Sequence, residues 1–163
     1  MARQSVGKIN FESTSRTLLS ASLAEGLRCA TDLRERIEIV HTSEYANFLR
    51  YLFPAFRELL LNRLETDLAL DSVENKFRHV LLEILNRLPN NELLRQYTPD
   101  LLRLATTTLA CDNEENALTC LRIIFDLHKN FRPTLEGEVQ PFLDLVQRIY
   151  RSLPASVQTA FAP

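Results

Sequence analysis

Apolar residues recur at spacings of three and four along almost the whole chain, as they do in helices that bury one face. Polar or proline-containing links interrupt the pattern, which predicts helices over residues 22–40, 45–60, 73–88, 93–110, 114–131 and 138–151, with a short one at 155–161. Residues 1–14 lack the period and are predicted to form a flexible N-terminal arm. We therefore expect an all-α fold of about seven helices, with one helical-repeat domain over residues 15–163.

Prolines also recur at a regular distance. Pro54, Pro99 and Pro141, each expected inside a helix, are 45 and 42 residues apart, and the helix-ending Pro89 and Pro133 are 44 apart. This period falls within the ~40–47 residues of HEAT and armadillo repeats. A shift of 43 residues also superimposes two segments, Leu81, Glu83, Ile84 and Leu88 on Ile124, Asp126, Leu127 and Phe131. The sequence predicts an α-solenoid of stacked antiparallel helix pairs, HEAT-like in type.

The segment 118–131 is apolar nearly all the way round its predicted helix. We expect this helix to be enclosed on several sides, with one buried face formed by Leu118, Leu121, Ile124, Phe125, His128 and Phe131.

Composition narrows the class of protein. Three glycines are few for a β-sandwich or a Rossmann-type sheet, and a net charge of −2 gives no general attraction for nucleic acid. Three cysteines, a polar N-terminus and no long apolar run predict a soluble, intracellular protein in a reducing compartment, with no membrane partner.

The residue types that carry chemistry do not form a recognisable site. Cys111, Cys120 and His128 lack metal-ligand spacing, so buried thiols are the better interpretation. His41 and His79 have no nucleophile at a suitable spacing, and the chain has no glycine-rich phosphate loop. The sequence predicts no enzyme activity, no cofactor, no metal and no small-molecule substrate.

Basic residues cluster on the second helices of two successive predicted pairs. In HEAT solenoids these helices line the concave surface, where stacking would align the side chains. Their hypothesised role is a shallow groove for acidic, amphipathic peptides, the alternative being ordinary solvated side chains. The six candidates are Lys76, Arg78, Arg87, Arg122, Lys129 and Arg132.

Four stretches go beyond a generic repeat: NFLRYLFPAFRELL (47–60), HVLLEILNRLPNNELLRQYTPDLL (79–102), DNEENALTCLRIIFDLHKNFRP (112–133) and VQPFLDLVQRIYRSLP (139–154). Together they resemble the N-terminal HEAT region of TRRAP-type proteins, which are very large pseudokinases of the phosphatidylinositol-3-kinase-related family. NEENALTCLRII and HKNFRP are the most specific parts, because apolar periodicity would not dictate their polar residues.

The resemblance implies a nuclear scaffold of the SAGA and NuA4 histone acetyltransferase coactivator complexes. Its partners would be acidic transcription activators, other coactivator subunits and the remaining repeats of a larger chain. The alternatives are a generic HEAT adaptor, such as a transport or phosphatase scaffold, and an enzyme of unfamiliar type with a deep pocket.

A solenoid that ends early should also expose apolar side chains where the next repeat would pack. The candidates are Phe142, Val146, Ile149 and Tyr150, or the tail residues Val157 and Phe161, and they predict self-association.

Overall fold

A computed structural model describes residues 7–66, 69–135, 137 and 139–160, and within these residues the chain contains seven α-helices and no strand. The all-α class is therefore confirmed. The helices are α1 (Phe11–Ser20), α2 (Leu23–Glu35), α3 (Tyr45–Glu58), α4 (Val73–Asn86), α5 (Thr98–Cys111), α6 (Glu114–Leu135) and α7 (Val139–Ala160). The chain divides into two compact units, Met1–Leu94 and Arg95–Pro163, where the sequence predicted one domain.

Helix α1 corrects the prediction of an arm over residues 1–14. The side chain of Asn10 caps the helix, because its Oδ1 accepts a hydrogen bond from the Ser13 backbone N–H at 3.0 Å. Ile9, Phe11 and Leu18 are buried. The prediction is thus wrong for residues 9–14, and residues 1–6 lie outside the described part of the chain.

Helix α2 begins with a capping box. Ser22 Oγ accepts from the Glu25 backbone N–H at 3.3 Å, and a Glu25 carboxylate oxygen accepts from the Ser22 N–H at 3.4 Å. The helix ends at Glu35, and a 3-10 segment, Ile37–His41, carries the chain onward. The apolar period of residues 22–40 therefore spans two elements, because a 3-10 turn also places residues three apart on one side.

Two helical hairpins stack within the first unit. Helix α1 packs against α3, with the rings of Phe11 and Phe48 edge to face at 5.9 Å near the two starts. At the other end Arg63 donates a hydrogen bond to the Leu19 carbonyl oxygen at 2.7 Å. Matching ends thus meet, and the two helices run parallel, as equivalent helices of successive repeats do.

The second helices of these hairpins are stacked in the same way. Helix α2 packs against α4, with Gly26 near the Phe77 ring and Arg34 bonded to Glu83. The start of α3 lies near the end of α4, because the Tyr45 hydroxyl donates to the carbonyl oxygen of Pro89, three residues beyond α4, at 2.9 Å. Helices α3 and α4 are therefore antiparallel, and the first unit has the stacked hairpins predicted from the repeat.

The periodic prolines do not occupy equivalent positions. Pro54 lies inside α3, as predicted, whereas Pro99 stands at the start of α5 and Pro141 in the first turn of α7. The first turn tolerates proline because its backbone N–H groups have no intrahelical acceptor. Pro154 lies inside α7, so the predicted boundary between helices 138–151 and 155–161 is wrong.

Helix α6 packs against α5, and α7 also contacts α5, within the second unit. The regular helical backbone of α6 is broken at Phe131, whose φ of −132° and ψ of 27° are non-helical, just before the predicted stop at Pro133. The apolar residues that a shift of 43 superimposes are all buried, namely Leu81, Ile84 and Leu88 in the first unit and Ile124, Leu127 and Phe131 in the second.

Candidate interaction surface

The six predicted contact residues divide equally between the two units. Lys76, Arg78 and Arg87 lie on or directly after α4, and Arg122, Lys129 and Arg132 lie on α6. Five of them are exposed. A groove shared by the two groups stays a prediction, and each group of three is described by itself.

Arg78 is the exception, because only 1% of its surface is exposed. Its Nη2 donates to Asn75 Oδ1 at 3.1 Å, and Asn75 Nδ2 in turn donates to the Leu70 carbonyl oxygen at 2.7 Å. Arg78 therefore belongs to the interior of the first unit, where it supports the start of α4. Its prediction as a surface contact is wrong, since spacing along a helix does not reveal which side is covered.

The exposed pair on α4 is interrupted by an acidic residue. Lys76 and Glu83 are seven residues apart, about two turns, and so share one side of the helix with Arg87. The Glu83 carboxylate accepts from Arg34 and lies 3.7 Å from His79 Nε2. Positive charge on α4 is therefore not continuous, and Val73, at 40% exposure, is the exposed apolar side chain beside Lys76.

Helix α6 carries a different surface. Leu118, Arg122, Phe125 and Lys129 follow one another at spacings of four, three and four, which places them on one side of the helix, here named the α6 face. Leu118 is 49% exposed and Phe125 is 60% exposed. Apolar and basic side chains thus alternate along one solvent-facing stripe.

The sequence prediction for this helix is wrong at Leu118 and Phe125, which were assigned to the buried face. The core side of α6 is formed by Cys120, Ile123, Ile124 and Leu127. The apolar pattern covers most of the circumference, so it could not distinguish the packed side from the solvent side. The exposed Phe125 is a candidate contact residue that the sequence analysis missed.

The start of α6 is held by a polar network. Asn113 Oδ1 accepts from the Asn116 backbone N–H at 3.1 Å, and Asp112 Oδ1 accepts from Asn116 Nδ2 at the same distance. Asn116 is buried, so its amide is fixed in the interior. Because this network and the apolar core side hold α6 in place, the α6 face is presented on a rigid element.

At the other end of α6, His128 lies between the two last helices. Its ring is 5.8 Å from the ring of Phe142 on α7. Burial and then the positive charge of Arg132 lower the pKa of His128, so the imidazole is neutral at pH 7. Positive charge at this end therefore comes from Lys129 and Arg132.

The described residues contain no group of three or more His, Cys, Asp or Glu side chains that could hold a metal ion. Burial, followed by the nearby Asp112 charge, raises the pKa of Cys120 to about 12, which keeps its thiol protonated and unreactive at neutral pH.

An open depression of about 510 Å³ lies between the starts of α1 and α3. It is lined by Lys8, Ile9, Asn10, Phe11, Glu12, Glu44, Asn47 and Tyr51. In the part of the chain that the structure describes, no helix is long and apolar enough to cross a membrane.

Comparison with known proteins gives relatives that are named as transcription-associated proteins. The chain is 46% identical to the probable transcription-associated protein 1 of Dictyostelium discoideum over 94% of its own length, and 38% identical to the human transformation/transcription domain-associated protein over 83%. It is 29% identical over 86% to the Saccharomyces cerevisiae SAGA complex/NuA4 acetyltransferase complex subunit TRA1.

The matched segment is a small part of each relative, 3% of the Dictyostelium protein and 4% of the human and yeast proteins. No protein-family profile matches the chain, and no solved structure matches it. The resemblance found in the sequence is nevertheless confirmed, because one relative is 46% identical to this chain over 94% of the length of the chain. Over that length, this chain belongs to the family of TRRAP-type transcription-associated proteins.

Proposed function

We propose that this chain is a non-catalytic interaction scaffold of a nuclear transcription coactivator, and that the α6 face binds acidic, amphipathic protein segments. The single observation that supports the second part is the alternation of Leu118, Arg122, Phe125 and Lys129 on one exposed stripe. The names of the relatives support the first part, since they are transcription-associated proteins and, in yeast, a SAGA and NuA4 subunit.

The chemistry of the α6 face selects this class of ligand. An exposed Phe125 offers a large apolar contact, and Leu118 offers a second one two turns earlier. Arg122 lies between them and Lys129 follows, so carboxylates beside the apolar residues of a ligand would find a basic partner at each step. A ligand with alternating apolar and acidic side chains matches both properties of the surface.

The affinity of such a surface is expected to be modest and dependent on salt. Exposed charge pairs contribute roughly 0.2–1 kcal/mol each, and ions screen them. The apolar contacts are less sensitive to salt, so raising the salt concentration should weaken binding without abolishing it. This behaviour suits a scaffold that receives partners transiently.

The proposal is tested with a fluorescent peptide that alternates Asp or Glu with Leu and Phe, measured by anisotropy against the full chain. We expect Arg122→Glu and Phe125→Ala each to weaken binding about three- to tenfold, which corresponds to roughly 0.7–1.4 kcal/mol. The matched control is Arg28→Glu, an exposed position on α2 with the same change in net charge. Equal weakening by Arg28→Glu would show a bulk charge effect and remove the proposed site.

The alternative is a HEAT-type adaptor unrelated to transcription. The identity of 46% to a transcription-associated protein favours the coactivator role. Affinity purification of the tagged chain from nuclear extract, followed by mass spectrometry, tests it. Enrichment of acetyltransferase-complex subunits supports the coactivator role, whereas enrichment of transport or phosphatase subunits alone supports the adaptor.

A further inference from the structure

Helix α1 has the fewest buried residues of the four helices in the first unit. Its ten residues include only two buried ones, Phe11 and Leu18, whereas α2, α3 and α4 bury three, seven and eight. Ile9, just before the helix, adds one more. An isolated helix of this length is marginal in water, and regions with few buried apolar contacts open at a lower free energy than the core does. Helix α1 is therefore the part of the first unit that should open most easily.

The start of α1 meets α3 beside an open gap. The rings of Phe11 and Phe48 are edge to face at 5.9 Å, and the depression of about 510 Å³ lies next to them. Phe11 lines this depression from α1, while Asn47 and Tyr51 line it from α3. Because the contact between the two starts is bordered by this gap, water can enter as soon as the rings separate. Separation of α1 from α3 should therefore begin at the start of α1.

The other end of α1 is fastened by Arg63. Its Nη1 donates to the Leu19 carbonyl oxygen at 2.7 Å, in the last turn of α1, where carbonyl groups have no intrahelical donor. The Arg63 Nε donates to Glu58 Oε1 at 3.2 Å, which holds the guanidinium at the end of α3. Both side chains of this ion pair are about half exposed, so the hydrogen bond to Leu19 can break without leaving a buried charge. This contact is here named the Arg63 latch.

The link between α1 and α2 is suited to be a hinge. Ala21 follows α1 with an extended backbone, at φ −75° and ψ 170°. Helix α2 then begins with its own capping box of Ser22 and Glu25. These capping bonds do not involve α1, and the contact of Gly26 with the Phe77 ring joins α2 to α4. Helix α2 would therefore stay capped and packed if α1 moved away.

We propose that α1 is a hinged strap, which opens about Ala21 while α2, α3 and α4 stay folded, and that the Arg63 latch opposes its release. Opening uncovers the Phe48 side of α3, which is buried while α1 is closed. The strap thus controls access to an apolar surface of α3. This inference lies within the first unit and is independent of the coactivator function and of the α6 face.

Amide hydrogen exchange of the full chain, measured by NMR, tests the strap. After correction for intrinsic rates, we expect the amides of Leu18 and Leu19 in α1 to exchange at least about tenfold faster than those of Leu52 and Phe53 in α3. Equal exchange in the two helices would mean that α1 opens only when the whole first unit unfolds, and would overturn the proposal.

The latch is tested by Arg63→Ala, with Arg28→Ala as the matched control, because Arg28 is an exposed arginine on α2. Arg63→Ala should speed exchange in α1 about two- to fivefold, as expected for the loss of an exposed polar contact, and leave exchange in α4 unchanged. Arg28→Ala should change neither. Equal acceleration of α1, α3 and α4 by Arg63→Ala would show that Arg63 stabilises the whole unit, and unchanged exchange in α1 would show that it is not a latch. Either result contradicts the proposal.

Discussion

A Cβ atom added to Gly26 would stand 2.7 Å from Cε1 and 2.9 Å from Cζ of the Phe77 ring, so helices α2 and α4 meet where a glycine faces an aromatic side chain. Both residues are buried. The close approach of the two helices therefore depends on the absence of a side chain at position 26, and not on any unusual backbone conformation, since no glycine in the described residues has a positive φ.

We expect Gly26→Ala to lower the free energy of unfolding. Alanine in a helix interior gains about 1 kcal/mol over glycine, but overpacking a core costs roughly 1–3 kcal/mol, so a net loss of about 1 kcal/mol should remain. Urea denaturation followed by circular dichroism measures the change. In a Phe77→Leu background, where the clashing ring atoms are gone, the same substitution should be neutral or stabilising. An equal loss in both backgrounds would contradict the contact.

The Arg34–Glu83 ion pair joins the same two helices near their C-terminal ends, and both side chains are less than one-third exposed. We expect a double-mutant cycle with Arg34→Ala and Glu83→Ala to give a coupling energy of about 0.5–1 kcal/mol. The matched control is the Glu12–Arg16 pair, which lies on the surface of α1 with both side chains mostly exposed and should couple by less than about 0.5 kcal/mol. Equal coupling energies in the two pairs would show that partial burial does not strengthen the ion pair.

Apolar periodicity predicted most helices because it reflects burial directly, and six of the seven observed helices overlap predicted segments, with α7 joining two of them. Helix α1 was not predicted because its segment FESTSRTLLS is mostly polar and buries only Phe11 and Leu18. Two side chains that contact a neighbouring helix suffice to fix this element, but they are too few to produce a visible period. Its capping residue, Asn10, was the available signal.

The same periodicity could not locate the surface. Leu118 and Phe125 lie at helical spacing from buried residues, yet they face solvent, whereas Arg78 carries a charge and is buried. Spacing shows which residues share a side of a helix, and only packing shows which side is covered. Of the apolar residues predicted to be exposed near the end of the chain, Val146, Ile149 and Tyr150 are exposed and Phe142 is half-buried. Val157 and Phe161 lie outside the residues whose side chains are described, and self-association stays a prediction.

The three thiols should react at different rates. Cys111 is exposed at the end of α5, whereas Cys120 is fully buried on α6 and its pKa is raised to about 12. Burial also raises the pKa of Cys29, with the Asp32 charge contributing. At pH 7.5 a maleimide should therefore modify Cys111 first and Cys120 only after unfolding.

Intact-mass spectrometry over time, with Cys111→Ser as the reference, measures this order. The variant should lose the fast phase and keep the slow ones. A fast phase that persists in Cys111→Ser would show that the buried thiols are reached through opening of the folded protein.

The stability of the second unit should fall in mild acid because of His128. Its Nε2 is buried without a hydrogen-bond partner among the described residues, and burial together with Arg132 lowers its pKa below the usual 6.5. Below about pH 6.5 the unfolded chain therefore binds a proton more readily than the folded chain does, so the free energy of unfolding decreases as pH falls.

The substitution His128→Gln tests this prediction. The glutamine side chain is neutral at every pH, so the stability of the variant should decline less between pH 7.5 and pH 5 than that of the parent. Carboxylates titrate equally in both proteins, so the difference in slope isolates the imidazole. His41→Gln, at an exposed position, is the matched control substitution. If the free energy of unfolding changes with pH equally in His128→Gln and in the parent, burial does not oppose protonation of the imidazole.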